Sequence, residues 1–303
     1  MKKPSVMHFY LEPGLKESAE AGTHNFLGKI ADLGRAAGME LRYSGNRPEE
    51  RARSKPSAEW AVMHMDPSPH ARAVTLRRAY YYPFWSIEQT DQRAEFDVAL
   101  SDFNAGDLPK KDAEKFVARW RRKWFEGWTA ETRGHVYVPL QGRLLEQRSF
   151  QSCTPIEMVR SVLRFDPDRP VITTLHPKEN YRDDELAALG ALQAKHPRLS
   201  VQTGGIEKLL PGCDYVVTQN SAAGFAGYFW AKPLVLFGRV DFHHIAAKTW
   251  ETDANTAIRT ASSLSPDYDA YLYWFLQRMA INAGRPEADA RIATRLRSFG
   301  WPV

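Results

Sequence analysis

Cysteine is scarce in this sequence, and long apolar runs are missing. The two cysteines, Cys153 and Cys213, are far apart and neither belongs to a CxxC pair, so neither a disulfide framework nor a zinc motif is indicated. No apolar stretch approaches the roughly 18 residues that a membrane-spanning helix needs. The opening segment MKKPSVMHFYLEPG has no apolar block before Glu12, which argues against a secretory signal. We therefore expect a cytoplasmic protein without a bound metal.

Acidic residues are outnumbered by basic ones. The formal net charge is +5 and the isoelectric point is about 9.1, which favours anionic partners such as nucleotides, phospholipid head groups or nucleic acid. No recognised nucleic-acid-binding motif accompanies the basic residues, so we expect no nucleic-acid partner. The length of 303 residues is enough for two domains.

The densest basic segment is KKDAEKFVARWRRKWFEGW, residues 110–128. On a helix, its aromatic residues would recur every four positions and form one stripe with cations around it. Two interpretations stay open. The helix packs on its own domain, or it lies at a membrane surface and makes peripheral contact with anionic lipid.

The second half of the chain alternates strands and helices regularly. From HVYVPLQ to KPLVLFG, short apolar segments alternate with helical segments, a pattern typical of parallel βαβ units. The first half contains similar strands, with 73–85 read as one extended stretch and 18–37 as one helix. We predict an α/β, GT-B-like fold of two Rossmann-like domains: an acceptor-side domain 1–133, a nucleotide-sugar-binding domain 134–261, and C-terminal helices 262–303.

Ligands of open α/β sheets bind beyond the carboxyl ends of the strands. His176 directly follows a predicted strand, and Pro177 holds it extended. Lys178 adds a cation beside it. Gln141 and Arg143 follow another predicted strand, so these side chains are candidates for ligand binding.

The stretch TQNSAAGFAG, residues 218–227, consists mostly of small side chains. Thr218, Asn220 and Ser221 are predicted to cap a helix that begins at Ala222, where free amides and the helix dipole favour an anion. Small residues would let a phosphate approach the backbone. The alternative is simple capping with tight helix-to-strand packing.

Two adjacent histidines follow the last predicted strand of this half. His243 and His244 lie in the segment DFHHIA, and neighbouring side chains on an extended segment point to opposite sides. At most one of them is therefore expected to enter a ligand-binding cleft, with His243 as the candidate and a structural role as the alternative, and the pair is not expected to hold a metal.

In a GT-B-like transferase, the first domain binds the acceptor, so we expect the first half of this chain to supply the acceptor site. Asp66 and His70 follow a strand in the proline-rich loop HMDPSPHARA and are candidates for the general base. A retaining reaction would instead need a carboxylate nucleophile, for which Asp66 and Glu88 are candidates. Glu12 and His24 lie near the first strand-to-helix turn.

Three segments carry a resemblance. In order, VYVPLQ, TLHPKE and CDYVVTQNSAAGFAGYFWAKPLVLFG resemble the capsular polysaccharide biosynthesis family, which includes Kdo transferases of the GT-B class. The match covers about residues 134–245. The resemblance implies that His176 and Ser221 hold the phosphate of a CMP-activated acidic sugar, with His176 also in the catalytic centre and Asn220 and Lys178 in support.

The function implied is a metal-independent glycosyltransferase of capsule synthesis. It would transfer Kdo from a CMP-sugar donor to a glycan or lipid-linked acceptor, with no cofactor. Ala226 stands where related enzymes often carry a glutamate that grips the ribose, and Glu207 is a second candidate for nucleotide contact. A UDP- or GDP-sugar donor therefore stays open, as does a non-catalytic, membrane-associated partner of capsule enzymes.

Overall fold

The computed structural model describes residues 5–54 and 59–303, which form an α/β protein. Within these residues the strands are, in chain order, β1 Val6–Leu11, β2 Glu40–Gly45, β3 Trp60–His64, β4 Ala73–Arg78, β5 Phe84–Glu88, β6 His135–Pro139, β7 Val171–Leu175, β8 Leu199–Thr203, β9 Cys213–Thr218, β10 Leu234–Leu236, β11 Ala247–Lys248 and β12 Ile281–Asn282.

The α-helices of the same residues are α1 Pro13–Glu20, α2 Asn25–Ala36, α3 Pro48–Ala52, α4 Asp97–Leu100, α5 Lys110–Trp124, α6 Pro155–Phe165, α7 Asp183–Lys195, α8 Ile206–Leu209, α9 Ala222–Tyr228, α10 Ala254–Ala261, α11 Tyr268–Tyr273 and α12 Ala288–Ser298. A π-helix, Trp274–Met279, continues α11. None of the helices in the described ranges is long and apolar enough to cross a membrane.

The chain forms two compact units. Of the described residues, those up to 100 and 275–303 form unit 1, and 101–274 form unit 2. These bounds differ from the sequence-based ones, 133/134 and 261/262. The basic helix α5 packs mainly on α11 and so belongs to unit 2, whereas α12 contributes Ile292 and Leu296 to the core beneath the sheet of unit 1.

Unit 1 has a six-stranded sheet in the order β12-β5-β4-β3-β1-β2. The strands β2, β1, β3 and β4 are parallel, while β5 runs antiparallel to β4. On β1, Met7, Phe9 and Leu11 face one core, and Tyr10 faces the other side of the sheet, as the two-residue period of a strand requires. Both faces of β1 are therefore buried.

Unit 2 has a fully parallel sheet in the order β11-β10-β9-β6-β7-β8. Parallel strands need a crossover connection, which helices such as α6 and α7 supply. Val136 and Val138 of β6 pack with Val159 of α6 and Leu189 of α7 in one core cluster. This is the Rossmann-like pattern predicted from the sequence.

Two elements of the sequence analysis need correction. The segment 73–85 is not one extended stretch, because the chain reverses after Arg78 and returns as β5, antiparallel to β4. The helical stretch 18–37 is two helices, α1 and α2, separated by a short break at residues 21–24. Helix α10 was not predicted at all.

The aromatic stripe of α5 packs within unit 2. Trp120 is buried and stacks on Trp124, with ring centroids 4.3 Å apart. Phe116 meets the ring of Tyr273 at 5.4 Å, and Trp124 meets that of Phe229 at 5.5 Å. Of the two interpretations of this helix, packing on its own domain accounts for the aromatic face.

Candidate functional site

The sheet of unit 2 has a topological switch point at β6. The chain passes from β6 to β7 and β8 on one side, and then returns to β9 on the other side of β6. Loops that leave neighbouring strands in opposite directions open a crevice at the carboxyl ends of those strands, where open α/β sheets bind ligands. The candidate site therefore lies where β6, β7 and β9 end.

Hydrogen bonds hold the ends of β6 and β9 together. The hydroxyl of Thr218 donates to the carbonyl of Pro139 at 3.3 Å and accepts from the amide of Ser221 at 3.4 Å. The hydroxyl of Ser221 in turn accepts from the amide of Ala223 at 3.3 Å. Capping of α9 by Ser221 is thus confirmed, and Ala222 lies exposed in the first turn of the helix.

The glycines of TQNSAAGFAG have a packing explanation. A Cβ at Gly224 would lie 3.1 Å from Leu234 Cδ1, and one at Gly227 would lie 3.4 Å from Val216 Cγ2. Both positions face the strands beneath α9. The small side chains there let the helix approach the sheet closely, so these glycines support tight packing rather than the approach of a phosphate.

Two glutamines at the crevice keep a side-chain oxygen without a donor. Gln219 is 4% exposed and donates through Nε2 to the carbonyl of Cys153 at 2.9 Å. Within the described ranges, the buried Oε1 atoms of Gln219 and of Gln141 have no hydrogen-bond partner. Because a buried polar atom normally has a partner, these oxygens are suited to accept from a ligand or an ordered water.

His176 presents one nitrogen outward. It is exposed beyond the end of β7, and its Nδ1 accepts from the amide of Lys178 at 3.2 Å. An acceptor at Nδ1 places the proton of the neutral ring on Nε2, which is then a donor. Lys178 and Arg143 are also exposed. These groups offer N–H donors on the loops after β6 and β7, where Arg143 also lies 3.8 Å from the carboxylate of Glu146.

Two carboxylates fix the loops that carry these residues. A Cβ at Gly142 would lie 2.6 Å from Glu179 Oε2, so the loops after β6 and β7 are in close contact. Glu185, which is 2% exposed, accepts from the amide of Leu144 at 2.5 Å and from that of Arg182 at 2.9 Å. One buried carboxylate thereby anchors both the loop after β6 and the start of α7.

The remaining candidates of unit 2 lie elsewhere. Glu207 is in the first turn of α8, which follows the outer strand β8. The rings of His243 and His244 stack, with centroids 4.3 Å apart, so the expectation that they point to opposite sides is wrong; residues 241–245 form turns rather than an extended segment.

Both of these histidines are held by protein groups. His243 Nδ1 donates to the carbonyl of Val240 at 2.7 Å. His244 lies 3.0 Å from both the hydroxyl of Tyr271 and the carbonyl of Ser101. Burial, with the charge of His243 in addition, lowers the pKa of His244 to about 4. His244 is therefore neutral near pH 7 and has a structural role.

Unit 1 has a switch point of its own, between β1 and β3. Glu12 follows β1, and His64 is the last residue of β3; Glu12 Oε1 lies 2.5 Å from His64 Nδ1. Burial lowers the pKa of His64, although the carboxylate of Glu12 opposes this. Sequence reasoning missed His64 because it considered only residues beyond the strand end, and no signal marks its contact with Glu12.

The two residues of unit 1 predicted as general bases, Asp66 and His70, accept hydrogen bonds from neighbouring protein groups. Asp66 accepts from Arg51 at 2.5 Å and from Asn46 at 3.3 Å, one bond to each carboxylate oxygen. His70 Nδ1 accepts from the amide of Arg72 at 3.2 Å, and burial lowers the pKa of the His70 ring.

Glu88 lies away from the switch point of unit 1. It pairs in the sheet with Thr75 near the start of β4, because β5 runs antiparallel. The carboxyl ends of β1 and β3 are at the opposite edge. The structure therefore does not bring Glu88 to the strand ends where Glu12 and His64 meet.

Comparison with solved structures identifies the fold. The beta Kdo 2,7 transferase of Thermosulfurimonas dismutans KpsC covers 98% of this chain and 100% of its own, with 12% identity and a TM-score of 0.55. The beta Kdo 2,4 transferase of KpsC from the same organism covers 88% and 90%, with 14% identity and a TM-score of 0.49. A trehalose-phosphate synthase from Burkholderia xenovorans covers 99% and 74%, with 10% identity and a TM-score of 0.44.

No family model matches the sequence, and no curated protein matches it. The first structural likeness shows that this chain shares its fold with a Kdo transferase. The predicted GT-B-like fold class is thereby confirmed, and so is the resemblance to Kdo transferases at the level of fold.

Removal of the Glu185 carboxylate should destabilise unit 2. In Glu185→Ala, the amides of Leu144 and Arg182 lose a charged acceptor, so we expect the free energy of unfolding to fall by about 2 to 4 kcal/mol. Chemical denaturation measures this change. Asp183→Ala, an exposed position in the first turn of the same helix, is the control and should cost less than about 1 kcal/mol. Equal losses in the two variants would contradict the anchoring role of Glu185.

Proposed function

We propose that this protein is a glycosyltransferase that transfers Kdo from CMP-Kdo to a glycan or lipid-linked acceptor. The observation that supports the proposal is that an exposed histidine donor, two exposed cations and a buried glutamine follow three neighbouring strands of one parallel sheet: His176, Lys178, Arg143 and Gln219. The fold shared with a Kdo transferase supports the choice of sugar.

The nucleotide phosphate is the group that these residues suit. His176 Nε2–H can donate to a phosphate oxygen, and Lys178 and Arg143 offset its negative charge. When the glycosidic bond breaks, CMP leaves with additional negative charge, and fixed donors and cations stabilise that charge. In the proposed reaction, protein cations therefore stabilise the leaving group, and no divalent ion is needed. Ser221 and Asn220, at the start of α9, complete this proposed donor site.

Binding of CMP should depend on His176. We expect His176→Ala to weaken CMP binding at least tenfold, because it removes a donor to the phosphate, and Lys178→Ala to weaken it severalfold. Calorimetry with CMP, UDP and GDP measures both effects. The control is His196→Ala, a histidine of the same unit next to the amino end of β8, which should bind CMP like the unaltered protein.

The nucleotide series distinguishes the alternatives. If UDP or GDP binds best and His176→Ala abolishes that binding, the proposed site stands but the donor is a UDP- or GDP-sugar. The alanine at position 226 makes this a serious alternative. Failure of all three nucleotides to bind would contradict the enzymatic proposal and favour a non-catalytic partner.

On the acceptor side, we propose His64 as the general base in place of the sequence-based candidates. Because its pKa is lowered, the imidazole is neutral near pH 7 and can take a proton from an acceptor hydroxyl. Nδ1 lies at ion-pair distance from the carboxylate of Glu12, so Nε2 is the nitrogen left to take that proton. Both oxygens of Asp66 already accept hydrogen bonds, which makes Asp66 a poorer base.

Activity should therefore depend on His64 more than on His70. We expect His64→Ala to lower kcat for CMP release from CMP-Kdo, with a lipid-linked glycan acceptor, by about 100-fold or more. His70→Ala is the matched control and should retain most of the activity, and both variants should bind CMP normally. A larger loss in His70→Ala or Asp66→Asn would return the role of base to those residues.

A second candidate function, membrane adsorption, is favoured by the exposed face of α5. The helix carries seven cations, all exposed: Lys110, Lys111, Lys115, Arg119, Arg121, Arg122 and Lys123. Within the part of the chain that the structure describes, no carboxylate lies within 4.0 Å of any of them. Because the aromatic stripe is packed inside unit 2, any contact with lipid would be electrostatic rather than insertion.

Charge reversal on this face should abolish vesicle binding. Each cation near an anionic membrane surface contributes about 1 kcal/mol, so the triple variant Lys111→Glu, Lys115→Glu and Arg122→Glu should not co-float with vesicles rich in phosphatidylglycerol. High salt should also release the unaltered protein. The control reverses Arg160, Arg164 and Lys195, which are exposed on other helices of unit 2, and should still bind. Equal binding by both triple variants would exclude α5 as the membrane contact.

A further inference from the structure

Unit 1 contains a pocket that the proposed reaction does not use. It has a volume of about 440 Å³ and lies among β5, α12 and residues 275–281. Its wall includes the apolar side chains of Trp85, Phe275, Met279 and Ile281. This volume falls within the range of roughly 300 to 1,000 Å³ that is typical of small-molecule sites.

Two lining residues carry a polar atom without a partner. Glu88 is 6% exposed, and its Oε2 accepts from Arg295 Nη2 at 2.5 Å and from the amide of Asp97 at 3.3 Å. Within residues 5–54 and 59–303, its Oε1 has no hydrogen-bond donor, and the buried Nε1–H of Trp85 has no acceptor. Glu88 Oε1 can thus accept a hydrogen bond and Trp85 Nε1–H can donate one, and a ligand hydroxyl group can both donate and accept.

The charges that line the pocket nearly balance. The acids Glu88, Asp97 and Glu287 are matched by Arg278, Arg291 and Arg295. Arg295 also donates to the carbonyl of Ile87 at 2.9 Å, so it is fixed in place. Burial raises the pKa of Glu88 to about 7 against the opposing effect of Arg295, so this carboxyl group is only partly charged near pH 7 and can accept or donate a hydrogen bond. The wall then carries less than one net positive charge, which gives a charged ligand little net attraction.

We propose that this pocket binds an uncharged, polyhydroxylated ligand of the size of one or two sugar residues. Apolar side chains would pack against the C–H surface of the ring, while Glu88 and the guanidinium groups would bond its hydroxyls. The inference does not rest on the proposed transfer reaction, because the residues that carry it belong to neither switch point.

The pocket and the Glu12–His64 pair have one side chain in common. The ring of Trp85 lines the pocket and also lies 6.2 Å from the ring of His64 and 5.5 Å from that of His24. Phe26 also stacks on Trp85, with ring centroids 4.8 Å apart. A ligand in the pocket would therefore contact a residue that packs against the proposed base.

The test uses ligand-observed NMR on the full chain. The uncharged probes are methyl glucoside, N-acetylglucosamine and maltose; the charged ones are glucosamine and glucuronate. Ala290→Phe fills the pocket from an exposed position of α12, so the fold should survive. Ala187→Phe, which places the same ring on an exposed position of α7, is the control.

We expect at least one uncharged sugar to bind with an affinity at least tenfold above that of both charged probes. This binding should be lost in Ala290→Phe and kept in Ala187→Phe, and CMP binding should be the same in both variants. The proposal is overturned if no uncharged sugar binds, if a charged probe binds best, or if sugar binding survives in Ala290→Phe. Because CMP is measured separately, failure of this inference leaves the proposed donor site untouched.

Discussion

The candidate donor site depends on the position of β6 between β7 and β9. A parallel strand can be reached only by a crossover, and the return of the chain from β8 to β9 reverses the direction of that crossover. The reversal separates the loops after β6 and β9 and brings their strand ends together. The Thr218 hydroxyl, bonded to Pro139 and Ser221, then fixes the distance between the two ends.

This constraint also explains the small residues of TQNSAAGFAG. Helix α9 must begin within a few residues of the end of β9 and lie directly on the sheet, so Gly224 and Gly227 lie against Leu234 and Val216. The side chains that we propose for ligand binding lie instead before the helix, at Gln219, and on neighbouring loops. Packing and the proposed binding site thus use adjacent but different positions of the same segment.

The sequence predicted unit 2 better than unit 1, for a physical reason. Strands such as β6 are buried on both faces and appear as continuous apolar runs, so 135–236 was assigned almost completely. In unit 1, the turn between β4 and β5 is marked only by Pro83 within a run of β-favouring aromatic residues, and it is closed locally by a bond from the amide of Ala79 to the carbonyl of Phe84 at 2.9 Å. Because β5 is antiparallel to β4, Glu88 lies at the opposite edge of the sheet from the strand ends where a nucleophile was expected.

The same limit applies to the residues of the site. Short-range order is enough to place His176 at a strand end, since the residue before a proline is held extended. The contact between Glu12 and His64 joins the end of β1 to the end of β3, two strands that are separated in the chain by β2 but are neighbours in the sheet. Its chemistry arises from burial: solvent removal lowers the pKa of His64 even beside a carboxylate. Neither the contact nor the burial is a property of the local sequence, so the base that we propose can be recognised only from the folded chain.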